Sequence, residues 1–487
     1  MRSTIHVIAP ALPQRLRREP FARRRLPFHL CSLIAAVGVS VLSAPLTAQI
    51  AVAPDTTRFI VAARHAGRTD AASVLDTLLA TARASNPRLV AARSRVEAAQ
   101  ALVGPAGARP DPMLMAALQN VPVSGPTFGT MMTMKMIGVS QMLPYPGKLA
   151  LLTRAAEYER AAAESQRVAA ELDVASEVER AFYDLAFADR ALNIVRRNAG
   201  VLASLIAVAD AKYRVGDGTQ ADVLRARVEA AHLGDQAAAL VEQRRADLAG
   251  LNALLNRPSD TPVDDAELPA RIVRAAVADS ADRIHFVSAA LGARAADSPL
   301  LPLDSLQMLG LRYSPTLTAD NAKLAAQAAR VALARKAYLP DVTVSLSYGE
   351  RQGFPGMVSA LVSIPIPFQK ARKQDADIAG ASAELAAMDA ERSDAANTLR
   401  ATIAQQVSAV ERARTDLALY VTAIVPQAQA TLASATASYQ VARVDFTTVI
   451  DAQATLFNYE IAYNRALTDF AKAVAALHRT VGTEVLR

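Results

Sequence analysis

Tyr213-Arg-Val-Gly-Asp-Gly-Thr-Gln-Ala-Asp-Val-Leu-Arg-Ala226 aligns without a gap on Tyr439-Gln-Val-Ala-Arg-Val-Asp-Phe-Thr-Thr-Val-Ile-Asp-Ala452, 226 residues further along. Upstream of each segment the same landmarks recur in the same order. Asn86-Pro87-Arg88-Leu89 matches Ser314-Pro315-Thr316-Leu317, Pro110-Asp111 matches Pro340-Asp341, and Pro144-Tyr145-Pro146 matches Pro365-Ile366-Pro367, at spacings of 228, 230 and 221. Four landmarks in register mean that one structural unit is present twice.

The apolar period changes within each copy. Val342, Val344, Leu346 and Tyr348 alternate with Thr343, Ser345 and Ser347, which predicts a strand with one oily and one polar face. Val358, Ala360, Val362 and Ile364 repeat the pattern, and Glu350-Arg-Gln-Gly-Phe-Pro-Gly356 between them reads as a hairpin turn. In the first copy the candidate strands are 113–120 and 130–143, with weaker alternation.

A very long helical segment follows each Pro-x-Pro. Residues 147–257 contain no proline, and Ala175, Val178, Phe182, Leu185 and Leu192 form a heptad seam interrupted by Asp189. The first break is Val215-Gly216-Asp217-Gly218, so a helix over 149–215 spans roughly 100 Å at 1.5 Å per residue. The second rod is expected over 370–441 with a kink at Pro426, and shorter return helices over 219–255 and 446–481.

The resulting organisation is an export signal at 1–48, a flexible N-terminal segment at 49–72, a first repeat at 73–257, a linker at 258–305 and a second repeat at 306–487. The signal rests on Arg23-Arg24-Arg25, the apolar run Leu30–Leu42 and the small residues around Ala44 and Ala48. That run is too short for a bilayer span, and Cys31 stands at its front, where a lipoprotein cysteine would follow it. Cleavage after Ala48 leaves no thiol.

The formal charge of +7 is concentrated in the signal, where seven arginines face one glutamate, so the remainder is almost neutral and offers nucleic acid no basic stripe. The six histidines are scattered, and no phosphate loop, nucleophile elbow, dinucleotide fingerprint or cysteine cluster occurs. These features predict a protein that is no enzyme and carries no cofactor or resident metal. Seven of the eleven methionines lie between 113 and 142, and thioethers are soft ligands. With Lys135 taken to face a lumen, Met132, Met134 and Met136 read instead as apolar filler against lipid.

Four short strands cannot enclose a pore, since open edges in lipid strand unpaired amides and closed outer-membrane barrels begin at eight strands. The chain is therefore expected to oligomerise, and a dimer and a trimer both satisfy the count. A periplasmic coiled-coil adaptor shares the signal and the heptads without the Pro-bracketed strand pairs.

The chain after about residue 73 resembles the TolC-like outer-membrane efflux proteins, most specifically in Gly138-Val-Ser-Gln-Met-Leu-Pro-Tyr-Pro-Gly-Lys148, Ala211-Lys-Tyr-Arg-Val-Gly216 with Asp222-Val-Leu224, and Tyr439-Gln-Val with Val449-Ile-Asp-Ala452 and Leu456-Phe-Asn-Tyr459. The Pro-Tyr-Pro-Gly-Lys and Phe-Asn-Tyr-Glu wording looks most like the heavy-metal efflux branch. The resemblance implies a mixed, mostly α membrane protein whose trimer forms a twelve-stranded β-barrel in the outer membrane and a periplasmic α-helical barrel. It further implies an exit duct for heavy-metal cations or drugs, served by a periplasmic adaptor and an inner-membrane pump that is expected to be proton-driven. A type I protein-secretion duct shares the fold with other partners. In the family the hairpin tips close the tunnel. Asp451 matches one acidic ring position and Thr448 occupies the other. Asp222 and Tyr439 match members of the gate linkage, while Val444 stands where an arginine is expected. The 439–451 turn is expected to move more than the 213–226 turn.

Overall fold

The computed structural model describes residues 70–123, 130, 132–263, 266–278 and 300–486. The export signal, the 49–72 segment up to residue 69, positions 279–299 of the linker and the loop at 124–129 lie outside the described residues.

The first copy runs α1 (Asp70–Ser85), α2 (Pro87–Gly107), β1 (Met113–Gln119), β2 (Met134–Leu143), α3 (Lys148–Arg214) and α4 (Gln220–Leu254). A short helix α5 (Ala270–Val277) follows. The second copy runs α6 (Leu303–Tyr313), α7 (Pro315–Arg335), β3 (Val342–Arg351), β4 (Phe354–Ser363), α8 (Gln374–Leu419), α9 (Val425–Gln440) and α10 (Phe446–Val481). Two pairs of equivalent helices agree closely in length. The helices α2 and α7 both have 21 residues and open on proline, while α4 and α10 have 35 and 36. Pro87 and Pro315 suit a first helical turn, where the missing N–H is an orphan in any case.

The helix α3 has 67 residues, about 100 Å of continuous rod. Its composition and length would allow a membrane crossing, but its apolar stripe is used in packing. Val178, Phe182, Leu185 and Leu192 are buried against neighbouring helices as the heptad seam predicts. Asp189 interrupts the seam because it binds Arg244 of α4, carboxylate to guanidinium at 2.5 Å. The matching rod in the second copy is not one α-helix. A π-helical turn, Tyr420–Ile424, separates α8 from α9. Pro426 lies two residues beyond it and lacks an N–H for the Thr422 carbonyl, so the ladder widens at the proline.

The four strands form one antiparallel sheet in the order β1-β2-β3-β4, so the two copies meet at β2 and β3. The sequence placed the start of β2 at 130; it begins at Met134, after a turn in which Thr133 donates to the Asn120 carbonyl. It also read Glu350 to Gly356 as a turn. The strands instead run on to Arg351 and from Phe354, leaving Gln352 and Gly353, the latter at φ +80°. Pro355 is tolerated because β4 is an edge strand.

The register overturns the reading of the methionines. Met136 pairs with Gly349, Ser140 with Ser345 and Met142 with Thr343, and the Ser345 and Ser140 hydroxyls hydrogen-bond at 3.0 Å. Residues directly opposite in an antiparallel pair share a face. Met113, Met115, Met134, Met136, Met142 and Met357 therefore lie with Thr343, Ser345 and Ser347. Lys135 pairs with Glu350 on the other face, beside Ile137, Val139, Leu346 and Tyr348. Along β2 and β3 the Ser/Thr/Met face is the more occluded, with Gly138, Ser140 and Gly349 buried, whereas Ile137, Val139, Val344, Leu346 and Tyr348 are exposed. Among the described residues no helix covers either face, so this alternation marks curvature, with the Ser/Thr/Met side concave and the oily side convex.

At the foot of the sheet the Lys148 ammonium binds the Asp341 carboxylate and the Leu339 carbonyl, each at 2.8 Å, and Asp341 also accepts from the Tyr145 amide at 2.7 Å. The end of β2, the start of α3 and the start of β3 are thereby held together. Two apolar cores lie further along the rods. One joins α1, α2, α3, α4, α5, α6, α8 and α10 around Phe182, Leu251, Ile403 and Phe470. The second joins both helical hairpins at their far ends.

Candidate functional site

The second core holds the two hairpin tips against each other. Leu202, Leu205 and Ala209 of α3 and Val223 and Ala226 of α4 pack with Tyr439, Phe446, Val449 and Ile450. Phe446 is 1% exposed, and its ring meets that of Tyr439 at 5.3 Å.

Both turns follow one path. Gly216 and Ala442 occupy the same place after the outgoing helix, at φ +84° and +55°. In each turn an amide reaches back to close the helix end, Asp217 N–H to the Lys212 carbonyl and Arg443 N–H to the Ser438 carbonyl, both at 2.9 Å. The helix starts differ. Thr219 and Asp222 form a reciprocal capping box: the Asp222 amide donates to Thr219 Oγ1 at 3.3 Å and the Thr219 amide to Asp222 Oδ2 at 3.2 Å. In the second tip the order is Asp445 and Thr448, and the Asp445 side chain makes no cap bond.

Asp222 is thus a half-buried capping residue whose charge also reaches Tyr439. Burial, and after it the Asp222 carboxylate, push the Tyr439 phenol above its ordinary range. Tyr439 is 6% exposed and its hydroxyl has no hydrogen-bond partner among the described residues. Thr448 and Asp451 are exposed one turn apart on the first turns of α10, with Val449 and Ile450 facing the core. Tyr439 and Asp222 are therefore brought together where the two tips meet, while Thr448 and Asp451 are turned outward from that core.

Lys212 was not singled out from the sequence. Its ammonium donates to the Tyr439 carbonyl at 2.8 Å and lies 4.3 Å from the centre of the Tyr439 ring, so one residue of the first tip caps the end of the outgoing helix of the second. The equivalent of Lys212 in the second copy is Ser438, so this tie has no symmetric counterpart. Val444 packs into the second core in place of the arginine expected there. A polar seam lies higher up. Glu460 of α10 accepts from Arg197 at 2.6 Å and from Asn198 at 3.4 Å, and Gln453 donates to the Asn198 amide oxygen. Among the described residues no group of histidine, cysteine and carboxylate side chains has the arrangement of a metal site.

The sequence profile of the family described as Outer membrane efflux protein matches residues 78–257 and 309–483. The outer-membrane channel OprN has the same fold, with a TM-score of 0.68 at 18% identity over 84% of this chain and 90% of its own. CusC, a transmembrane channel, gives 0.67 at 17% identity over 84% and 92%. The outer-membrane protein VceC of Vibrio cholerae gives 0.66 at 20% identity over 84% and 96%. No curated protein matches the sequence. With both copies matched by the profile and the strands and rods of a solved channel fold around them, the chain belongs to the outer membrane efflux protein family, and it acts as an exit duct in the outer membrane.

Proposed function

We propose that three copies of this chain close a twelve-stranded barrel in the outer membrane and continue as a helical tunnel through the periplasm, forming the passive duct of a tripartite efflux system. The observation that carries the reading is the sheet: among the described residues its convex oily face is uncovered and its edges β1 and β4 are unpaired, and it leads directly into rods of about 100 Å. In this arrangement the convex face meets lipid, the concave Ser/Thr/Met face meets water, and β4 of one protomer pairs with β1 of the next.

Repeat units at 73–257 and 306–487 are supported by the two profile matches. The closed aperture is formed by Asp451, Thr448, Asp222 and Tyr439, with Lys212 tying the two tips. Three Asp451 carboxylates around a narrow opening favour cations and repel one another. A periplasmic adaptor grips the tips, and an inner-membrane pump, driven by protons, supplies the energy. The cargo is heavy-metal cations or drugs.

The junction geometry supplies the test. Lys148 holds Asp341 within the chain. At the outer strands Asp111 is the counterpart of Asp341, and Lys370 lies next to Gln369, the counterpart of Lys148; Asp111 and Lys370 are exposed and form no ion pair among the described residues. The chain has no cysteine after Cys31, so the double variant Asp111→Cys, Lys370→Cys reports contact between protomers directly. Oxidised outer-membrane fractions are expected to show a covalent trimer after denaturation. Monomer alone, or material found only in the soluble periplasm, would sink the reading.

A further inference from the structure

We infer that the concave face carries a soft-cation site formed by the thioethers of Met134, Met136 and Met357 around Gly349, taking monovalent Ag(I) or Cu(I). Six of the eleven methionines lie on this one face of the sheet, and the opposite face carries none. Among the residues of that face only Ala117 and Leu361 are other apolar side chains; the rest are small or polar.

The row containing Gly349 has Met136 on one side and Met357 on the other. Met134 shares the face one position beyond Met136, about 7 Å along the strand. Gly349 leaves open the space that the Met134 and Met136 side chains enter. A Cβ built there would lie 2.9 Å from Met134 Sδ and 3.5 Å from Met136 Cγ, so the thioether of Met134 already occupies the space a side chain would fill. Met136 and Met357 flank Gly349 on the strands to either side, each separated from β3 by about 4.8 Å. No carboxylate or imidazole stands on this face of the four strands. The donor set is therefore purely soft, which excludes Mg(II) and Ca(II), gives Zn(II) no hard or nitrogen ligand, and suits a d¹⁰ monovalent ion. Thioethers stay uncharged and bind such an ion weakly and exchangeably, as a lumen wall that must release its cargo requires.

The inference takes this face to line the lumen, as in the proposed duct, but binding by the sheet can be measured without transport. The test is a titration of the purified full-length trimer, labelled at its methionine methyls, with silver nitrate in chloride-free buffer, followed by NMR. The methyls of Met134, Met136 and Met357 are expected to shift together and saturate near about one Ag(I) per protomer, with those of Met308 and Met388 unmoved. Replacing all three with leucine, which keeps their size, should weaken Ag(I) binding by roughly tenfold or more. Gly349→Ala removes no thioether yet should weaken it too, because its Cβ displaces Met134 Sδ. Binding unchanged in the triple variant, or Met308 and Met388 titrating in step with the three, would overturn the site. So would methyl shifts caused by an apolar dye and not by silver, which would leave a merely adaptable apolar lining. Failure of the crosslinked trimer would count against the duct and leave the silver titration intact.

Discussion

Gly216 and Ala442 stand at the same point of the two hairpin tips, both in the left-handed region, yet only one of them is the residue for which that region carries no steric cost. The first tip also has the reciprocal Thr219 and Asp222 box, while Asp445 leaves the start of α10 uncapped by any side chain. A non-glycine residue in this conformation costs about 1–2 kcal/mol, and a missing cap typically ~1 kcal/mol. The second tip is thus the weaker turn by its local chemistry, and it is held by tertiary contacts that the first tip does not need: Phe446 in the core and Lys212 on its last carbonyl. The lesson is that a duplicated turn can keep its path while its stability moves from the backbone into contacts that can be broken, which is what a moving part requires.

The largest effect that would break this comparison is at Phe446. Phe446→Ala removes a ring that is 1% exposed and should cost about 3–5 kcal/mol in the second tip, read as faster amide exchange over 439–451. The matching position in the first tip is Gln220, which is exposed, and Gln220→Ala should leave exchange there unchanged. Equal effects at the two sites would show that the tips are alike.

Lys212→Met comes next. It removes a charged donor at 2.8 Å and the cation over the Tyr439 ring, at a cost of about 1.5–3 kcal/mol. Exchange is expected to rise in the second tip and not over 215–222, and channel recordings should show a higher open fraction. No change in either measurement would mean that the tie between the tips is idle.

Thr219→Ala should destabilise the first tip by about 1 kcal/mol by removing its cap. Asp445→Ala should have less effect, because its side chain caps nothing. Exchange of the first amides of α4 and α10 reads the two losses side by side. The smallest effects test the turn residues themselves. Ala442→Gly should steady the second tip by about 1 kcal/mol, and Gly216→Ala, where a Cβ meets nothing within 4 Å, should loosen the first by a similar amount through φ alone. In the wild type, crosslinking across residues 439–451 should respond more to opening than across 213–226.

The same contrast explains what could be read in advance. The first rod and its return helix were legible because residues 147–257 contain no proline and break at Val215-Gly-Asp-Gly218, the second pair followed from the repeat, and a helix of that length needs no tertiary information to be counted out at 1.5 Å per residue. The strands β3 and β4 were legible because one face is oily and the other Ser/Thr. The strands β1 and β2 were weaker signals because methionine on one face and leucine, isoleucine and valine on the other leave little contrast in polarity. Asp222 and Tyr439 were legible as a pair, but the side chain joining the tips, Lys212, was not, since nothing local distinguishes it from a solvated lysine.

Duplication, element lengths and the Pro-bracketed order of strand pair and rod were determined by the sequence alone, because each depends on residues close together in the chain. The tertiary structure decided which face of β2 lies with which face of β3, and with it the side to which the methionines turn. A period of two assigns residues to one of two faces, but only pairing with a strand some 200 residues away says which face is shared, and a slip of one residue would exchange them.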